Sequence, residues 1–234
     1  MIENIAVGID FETTGLDENS QIIEYALVRY CTKTSKIITC LSNLVNPCIE
    51  IPQEAQELTG ITQDIVESYA ISLETATTHI SSFLSKATYL IAHNAEFELS
   101  YLNKLNIDLS HLQIVDTMKD IDYPSNMKHR DLDRLALYHK CPNFAAHRAL
   151  PDTLAMMNIL AQYNFSDVLA YKAISNIKII SLAGFDKKDL VKSLGFSWDA
   201  TLKYWYMDCK ENKAENVFEL LLTNNIKYQI YTKE

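Results

Sequence analysis

The sequence predicts a mixed α/β domain followed by a small α+β module. Two observations carry that expectation. Strand-like runs come first and then give way to alternating strands and helices. Near residue 165 this pattern changes, and a short second set of strands and helices begins. Hydrophobic residues make up 48% of the 234-residue chain, which is enough for a sizeable core. Only 5 Gly and 5 Pro argue against a disordered or fibrous chain.

Each element has a local reason. "IENIAVGIDF" reads as a strand, and "SQIIEYALVRYC" and "KIITCLSNLVN" as two more, joined by the polar, turn-like "TKTSK". Together they suggest an antiparallel meander. "PQEAQELTG" and "TQDIVESYA" open on a Pro and a Thr, both suited to helix starts. "SLETATTHISSFLSKA" places apolar residues at helical spacing. "TYLIAHN" is a short strand ending in His93 and Asn94, and "AEFELSYLNKLN" is a helix. "LQIVDTM" is a strand, "DLDRLALYHK" a helix and "LPDTLAMMNILAQYN" a longer helix. This alternation implies helices on the sheet faces. "FSDVLAYKAISN" fits either a linker or a last helix. "IKIISLA" then reads as a strand, and 187–194 as a helix ended by Gly195. "FSWDATLKYWYMD" is a hairpin turning near "DATL"; a helix from about residue 213 ends at "TNN", and "IKYQIYT" closes the chain. The expected division is 1–165, a connection at 166–176, and a module at 177–234.

The formal net charge is −9. A generic, salt-dependent nucleic-acid coat would be basic, and this chain is not. Acids that hold metal ions also count as negative charge, so a nuclease stays open. Residues 177–234 hold 9 of the 21 basic and 8 of the 30 acidic residues, which leaves 12 against 22 in residues 1–176. The negative charge is therefore concentrated in the first domain. Five Cys, an odd number without a C-x-x-C pair, fit a reduced intracellular compartment. The N-terminus lacks a basic then apolar leader pattern, and no run approaches the ~18–20 apolar residues of a membrane span. A soluble, cytoplasmic protein with no membrane partner is expected.

Three groups of acids stand out. In "NIAVGIDFETTG", residues two apart in a strand face the same side, so Asp10 and Glu12 project together with Ala6 and Gly8. Ile5, Val7, Ile9 and Phe11 take the other side. The small neighbours leave room for something bulky beside the acids. Two close carboxylates raise each other's pKa unless a cation neutralises them, and an oxygen-rich site suits Mg²⁺ or Mn²⁺. A solvated strand end with two surface acids fits this stretch as well. Thr13, Thr14 and Gly15 form a polar turn whose free backbone N–H groups can grip a phosphate or sugar hydroxyl, or are an ordinary loop. In "LIAHNAEFELSYL", Glu96 and Glu98 open a helix, where the macrodipole alone accounts for acids. In "HRALPDTLAMM", Pro151 suits the first turn of a helix with Asp152 beside it, and His147 lies at or before its start. A His five residues before an acid can act as a base beside a metal ligand, or be a loop His near a helix acid.

Taken together and in this order, the three groups resemble the DEDDh 3′→5′ exonucleases, the family of the proofreading epsilon subunit of bacterial DNA polymerase III. "DFETTG" resembles the first motif, acid-x-acid-x-Thr-Gly. "HNAEFELSYL" is similar to the second, His-Asn-Ala-x-Phe-Asp before an apolar helix. "HRALPD" is similar to the third, His-x-Ala-x-x-Asp, and "VDTM" and "LDRLALYH" match further segments between the last two. The resemblance covers roughly residues 4–165. It implies a ribonuclease H-like mixed sheet flanked by helices.

The resemblance also implies roles. Asp10, Glu12 and Asp152 would hold two divalent cations, Mg²⁺ or Mn²⁺, with His147 as general base. The fourth acid should be an Asp where this chain has Glu98. Glu reaches one methylene further, so weakened rather than abolished activity is expected. Glu96 falls at the variable position. Asn94 would support the site by hydrogen bonding, and Phe97 would pack inward. Thr13, Thr14, Gly15 and Leu16 are candidates for contacts to the terminal nucleotide. The expected partner is a single-stranded 3′ end of DNA or RNA, with a polymerase or other replication or repair protein as a possible second partner.

The tail "LVKSLGFSWDATLKYWYMD" is the most aromatic part of the chain and loosely resembles the substrate-recognition repeats of annealing helicases over about 20 residues. Trp198, Trp205 and Tyr206 fit the core of a small domain. They also fit a stacking surface for single strands, helped by Lys187, Lys188, Lys192 and Lys203. Alternation would put Tyr204 and Tyr206 on one face and Trp205 on the other. Two rivals to the exonuclease reading are a weakened site that binds nucleic-acid ends without cutting, and an adaptor for a replication protein.

Overall fold

The computed structural model describes residues 4–124, 127 and 129–232. The chain divides into two compact units, Met1–Tyr171 and Lys172–Glu234. Among the described residues, no helix is long and apolar enough to cross a membrane.

The first unit opens with three antiparallel strands, β1 (Ile5–Thr13), β2 (Ile22–Cys31) and β3 (Lys36–Leu44). Three helices follow: α1 (Gln53–Thr59), α2 (Gln63–Tyr69) and α3 (Leu73–Leu84). Gly60 ends α1 in the left-handed region, at φ 70°. The Thr62 and Ser72 side chains accept backbone N–H groups from the first turns of α2 and α3. Next come β4 (Tyr89–Ala92), α4 (Glu96–Lys104), β5 (Gln113–Asp116), α5 (Leu132–Tyr138) and α6 (Ala149–Leu160). The sheet order is β3-β2-β1-β4-β5, with β4 parallel to β1 and β5 parallel to β4. The exposed edge strand β3 carries Lys and Thr at its start, which discourages further pairing.

The two faces of β1 serve two cores. Val7, Ile9 and Phe11 pack with Ile80, Leu84 and Leu102. Ala6 packs with Val28, Met156 and Met157 on the other side. Gly8 shares that second face. A Cβ added there would lie 2.6 Å from Met157 Sδ and 3.1 Å from Thr153 Cγ2. The space left by the small residues beside the acids is thus filled by α6 itself. This close approach brings α6 onto the strand that bears Asp10 and Glu12.

The stretch from residue 165 is a helix rather than a linker. In α7 (Phe165–Ala173), Phe165 and Val168 are buried, and the Phe165 ring meets Tyr89 edge-on at 4.8 Å. The division into units falls in the last turn of this helix.

The second unit contains β6 (Asn176–Ser181), α8 (Lys188–Ser193), β7 (Ser197–Asp199), β8 (Tyr204–Lys210), α9 (Ala214–Thr223) and β9 (Tyr228–Thr232). Its antiparallel sheet has the order β7-β8-β6-β9. Ile177, Ile179, Val191, Phe196 and Leu221 form its core. Gly195, at φ 95°, turns the chain out of α8.

Candidate active site

Strand alternation and the N-terminus of α6 bring three acids together. Asp10 and Glu12 project from the same face of β1, and Asp152 lies in the first turn of α6. One oxygen from each lies within 4.8 Å of the others. Such a group is electrostatically unfavourable when ionised and unpaired. Burial, then repulsion from Asp152 and Glu24, pushes Glu12 from 4.5 to about 8. Burial, followed by the charges of Glu98, Glu12, Asp152 and Glu24, raises Asp10 well above its ordinary value. Asp152 is pushed up to about 6, chiefly by burial. A hard divalent cation among these oxygens would reverse the sign of the local field, and an all-carboxylate donor set suits Mg²⁺ or Mn²⁺.

These shifts carry a stability signature. A carboxyl that holds its proton more tightly when folded stabilises the fold below its unfolded pKa and loses that contribution as pH rises through the folded value. For Glu12 and Glu98 the window runs from 4.5 to about 8. In metal-free buffer, the melting temperature should therefore fall by several degrees across this window. Millimolar Mg²⁺ or Mn²⁺ should restore it, most strongly at the alkaline end. A metal-induced gain that is flat with pH, measured by differential scanning calorimetry, would contradict this account.

Glu98 stands apart from the triplet. It is 2% exposed on the inward face of α4, and its Oε2 has no hydrogen-bond partner among the described residues. Burial pushes its carboxyl up to about 8, and its charge is felt at Asp10. Glu96, one turn-face away, points outward and pairs with Lys119 at 3.1 Å. Phe97 packs against the core with its ring 5.1 Å from Tyr101. The N-terminus of α4 has no capping side chain of its own. Asp116, at the end of β5, does that work by accepting the N–H groups of Asn94 at 3.0 Å and Ala95 at 3.2 Å. Asn94 adopts φ 71°, a left-handed conformation that Asn tolerates well.

His147 is exposed and sits at φ 62° just before α6. Its backbone N–H donates to Asp152 Oδ2 at 3.0 Å, and Asn143 Nδ2 donates to Asp152 Oδ1. The loop that carries His147 therefore folds onto the acid beside it. Arg148 forms a fork to Glu24 on β2, with Nε at 3.0 Å and Nη2 at 2.7 Å.

The polar turn after β1 differs from the expectation of free backbone donors. The Thr14 N–H donates to the Gln21 carbonyl at 2.8 Å, and the Thr14 hydroxyl accepts from the Gln21 N–H at 2.9 Å. The Thr13 hydroxyl donates to the Gly15 carbonyl at 2.6 Å. Closing the turn consumes these groups. It leaves Leu16 at its tip, 89% exposed beside the acids in sequence.

In the second unit, Trp198, Lys203, Trp205 and Tyr206 do not form one surface. Trp205 packs against the core, and its cross-strand partner Trp198 lies 5.4 Å away, ring to ring. Tyr206 alternates to the opposite face, where Lys178 Nζ lies 4.6 Å above its ring. Lys203 stands in the turn between β7 and β8 at φ 54°.

Sequence reasoning missed Glu24, Asp116, Asn143 and Arg148. Glu24 did leave a signal, because it is the one charged residue in the apolar run "IIEYALV". The others look like ordinary loop or strand-end polar residues.

The family model described as Exonuclease matches residues 7–160, which include Asp10, Glu12, Glu98, His147 and Asp152. The chain belongs to this exonuclease family. The DNA polymerase III subunit epsilon of Treponema pallidum is 34% identical over 184 residues, covering 74% of this chain and 81% of that protein. A PolC-type DNA polymerase III of Caldanaerobacter subterraneus subsp. tengcongensis is 27% identical over 97% of this chain, which spans only 16% of that relative's length. A solved structure of exonuclease X in complex with 5′-overhanging duplex DNA superposes with a TM-score of 0.51 at 25% identity, covering 67% of this chain and 89% of that one. The five-stranded mixed sheet with flanking helices is the ribonuclease H-like arrangement of these exonucleases.

Proposed function

We propose that this exonuclease-family chain is a metal-dependent 3′→5′ exonuclease that releases nucleoside 5′-monophosphates from the single-stranded 3′ ends of nucleic acids. The observation that carries the reading is the convergence of Asp10, Glu12 and Asp152 within 4.8 Å, with the buried carboxyl of Glu98 close enough for its charge to act on Asp10. Asp10, Glu12, Asp152 and Glu98 would hold two divalent cations, Mg²⁺ or Mn²⁺, which supply Lewis acidity and charge neutralisation at the scissile phosphate. His147, exposed beside Asp152, takes the proton of the attacking water. The new P–O bond forms from that water as the bond to the 3′ oxygen breaks, and the shortened chain keeps a 3′ hydroxyl. The tip of the Thr13–Leu16 turn and Asn94 contact the terminal nucleotide. An end-binding site of this kind requires no basic coat, because only the last nucleotides are held.

The relatives' names connect the reading to replication, with a polymerase or other replication protein as the partner. The deciding experiment uses matched DNA and RNA oligonucleotides labelled at the 5′ end, incubated with Mg²⁺, Mn²⁺ or EDTA. A metal-dependent ladder shortening from the 3′ end, with mononucleotide product, is expected. No metal-dependent shortening of either polymer would refute the reading, and the ratio of the two rates gives the substrate class.

A further inference from the structure

We propose that the pair formed by the buried Glu24 carboxylate and Arg148 is a positioning device that holds His147 and Asp152 against the acids of β1, and so governs turnover rather than substrate affinity. The proposal rests on the exonuclease reading above.

Glu24 occupies a costly position. It lies on β2 directly opposite Glu12 in the sheet register and is 4% exposed. Like charges facing each other across strands destabilise a sheet, and a buried carboxylate needs partners for both oxygens. Its partners all come from one place, 124 or 125 residues away. Oε1 accepts Arg148 Nη2 at 2.7 Å; Oε2 accepts Arg148 Nε at 3.0 Å and the backbone N–H of Ala149 at 2.9 Å. The guanidinium fork gives direction as well as charge, which an ammonium would not.

That place is the junction between the His147 loop and α6. Ala149 is the first residue of α6, and Arg148 at the cap position offers the helix no side-chain cap. Glu24 therefore satisfies one of the orphan N–H groups that a helix start leaves open. One residue earlier, His147 sits at φ 62°, a conformation that a non-glycine residue keeps only when its surroundings fix it. Two carboxylates supply that fixation. Asp152 takes the His147 N–H from within the helix, and Glu24 takes Arg148 and Ala149 from the sheet. The direction of the His147 side chain and the placement of Asp152 beside β1 are thereby referred to the same strand pair that carries Asp10 and Glu12. The charge of Arg148 also offsets that of Glu24, which otherwise adds to the repulsion at Glu12.

The test compares the full-length protein with Arg148→Lys and Glu24→Gln. Amide exchange over 142–150, kcat and KM for release from a single-stranded oligonucleotide, and thermal stability are measured for each. Arg148→Lys keeps the charge and loses the fork, so it serves where Glu24→Gln folds poorly. Faster exchange at 147–149, with kcat reduced by about 10–100-fold and KM within about twofold, is expected, the range for an outer partner of a metal site. Unaltered exchange together with unaltered kcat would overturn the proposal. A raised KM at constant kcat would also overturn it, since that result would make Arg148 a substrate contact. Should the wild type release no nucleotide, the exonuclease reading fails on its own. The exchange data then still decide the clamp, with faster exchange supporting it and unchanged exchange rejecting it.

Discussion

Asp10→Asn is expected to cut metal-dependent nucleotide release by on the order of 10³-fold, the scale of losing one preorganised electrostatic partner. The same substitution should raise the melting temperature of the metal-free protein. Both effects follow from one cause. Asp10 suffers desolvation first, and then repulsion from Glu98, Glu12, Asp152 and Glu24. Asn keeps the shape and removes the charge, so the apo fold is relieved of its most crowded carboxylate. The cation loses a ligand, and the metal-induced gain in melting temperature should shrink in parallel. A site that destabilises its scaffold for the sake of chemistry shows this opposition between stability and activity. Activity within tenfold of wild type, or a lowered apo melting temperature, would show that Asp10 is a structural acid.

His147→Asn is the second large effect, with kcat expected to fall about 10²–10⁴-fold, the range for loss of a general base. Asn is chosen because it tolerates the left-handed backbone, at φ 62°, that His147 adopts. The backbone N–H to Asp152 at 3.0 Å survives the change, so metal affinity should be retained. Melting temperature should move little, because the imidazole is exposed. The pattern separates the two variants: Asp10→Asn loses metal and activity together, whereas His147→Asn loses activity alone. Loss of Mn²⁺ binding in His147→Asn, measured by calorimetry, would remove His147 from the role of base and place it among the groups that build the metal site.

Much of the first unit was legible in the chain because its signals are local. Alternation in "IAVGIDF" separates the core-facing Val7, Ile9 and Phe11 from Ala6, Gly8 and Asp10 without any knowledge of neighbours. Pro151 and Asp152 mark a helix start by backbone chemistry alone. The gap beside Ala6 and Gly8 was also legible, but its occupant was not. Met157 and Thr153 fill it from a helix about 150 positions later. The Thr14 N–H looked free because its partner, Gln21, lies beyond the turn, just before the next strand. In the tail, alternation alone separated Trp205 from Tyr204 and Tyr206, whereas only strand pairing sets the half-exposed Trp198 beside Trp205 on the face opposite Tyr206.

The sequence by itself determined the kinds of groups at the site and the elements that bear them. Asp10, Glu12, Glu98, His147 and Asp152 each sit at a strand end or helix start that short-range pattern fixes. Only the tertiary structure decided which of them meet and what holds them there. It brought Asp10, Glu12 and Asp152 within 4.8 Å, buried Glu98 where its charge acts on Asp10, and recruited Glu24 and Asp116 to grip the two helix starts. The physical reason is range. Strand alternation and helix capping act over a few residues, so they are written in the local sequence. Carboxylate repulsion, desolvation and the satisfaction of buried N–H groups act through space, between residues whose separation in the chain carries no information about their separation in the fold.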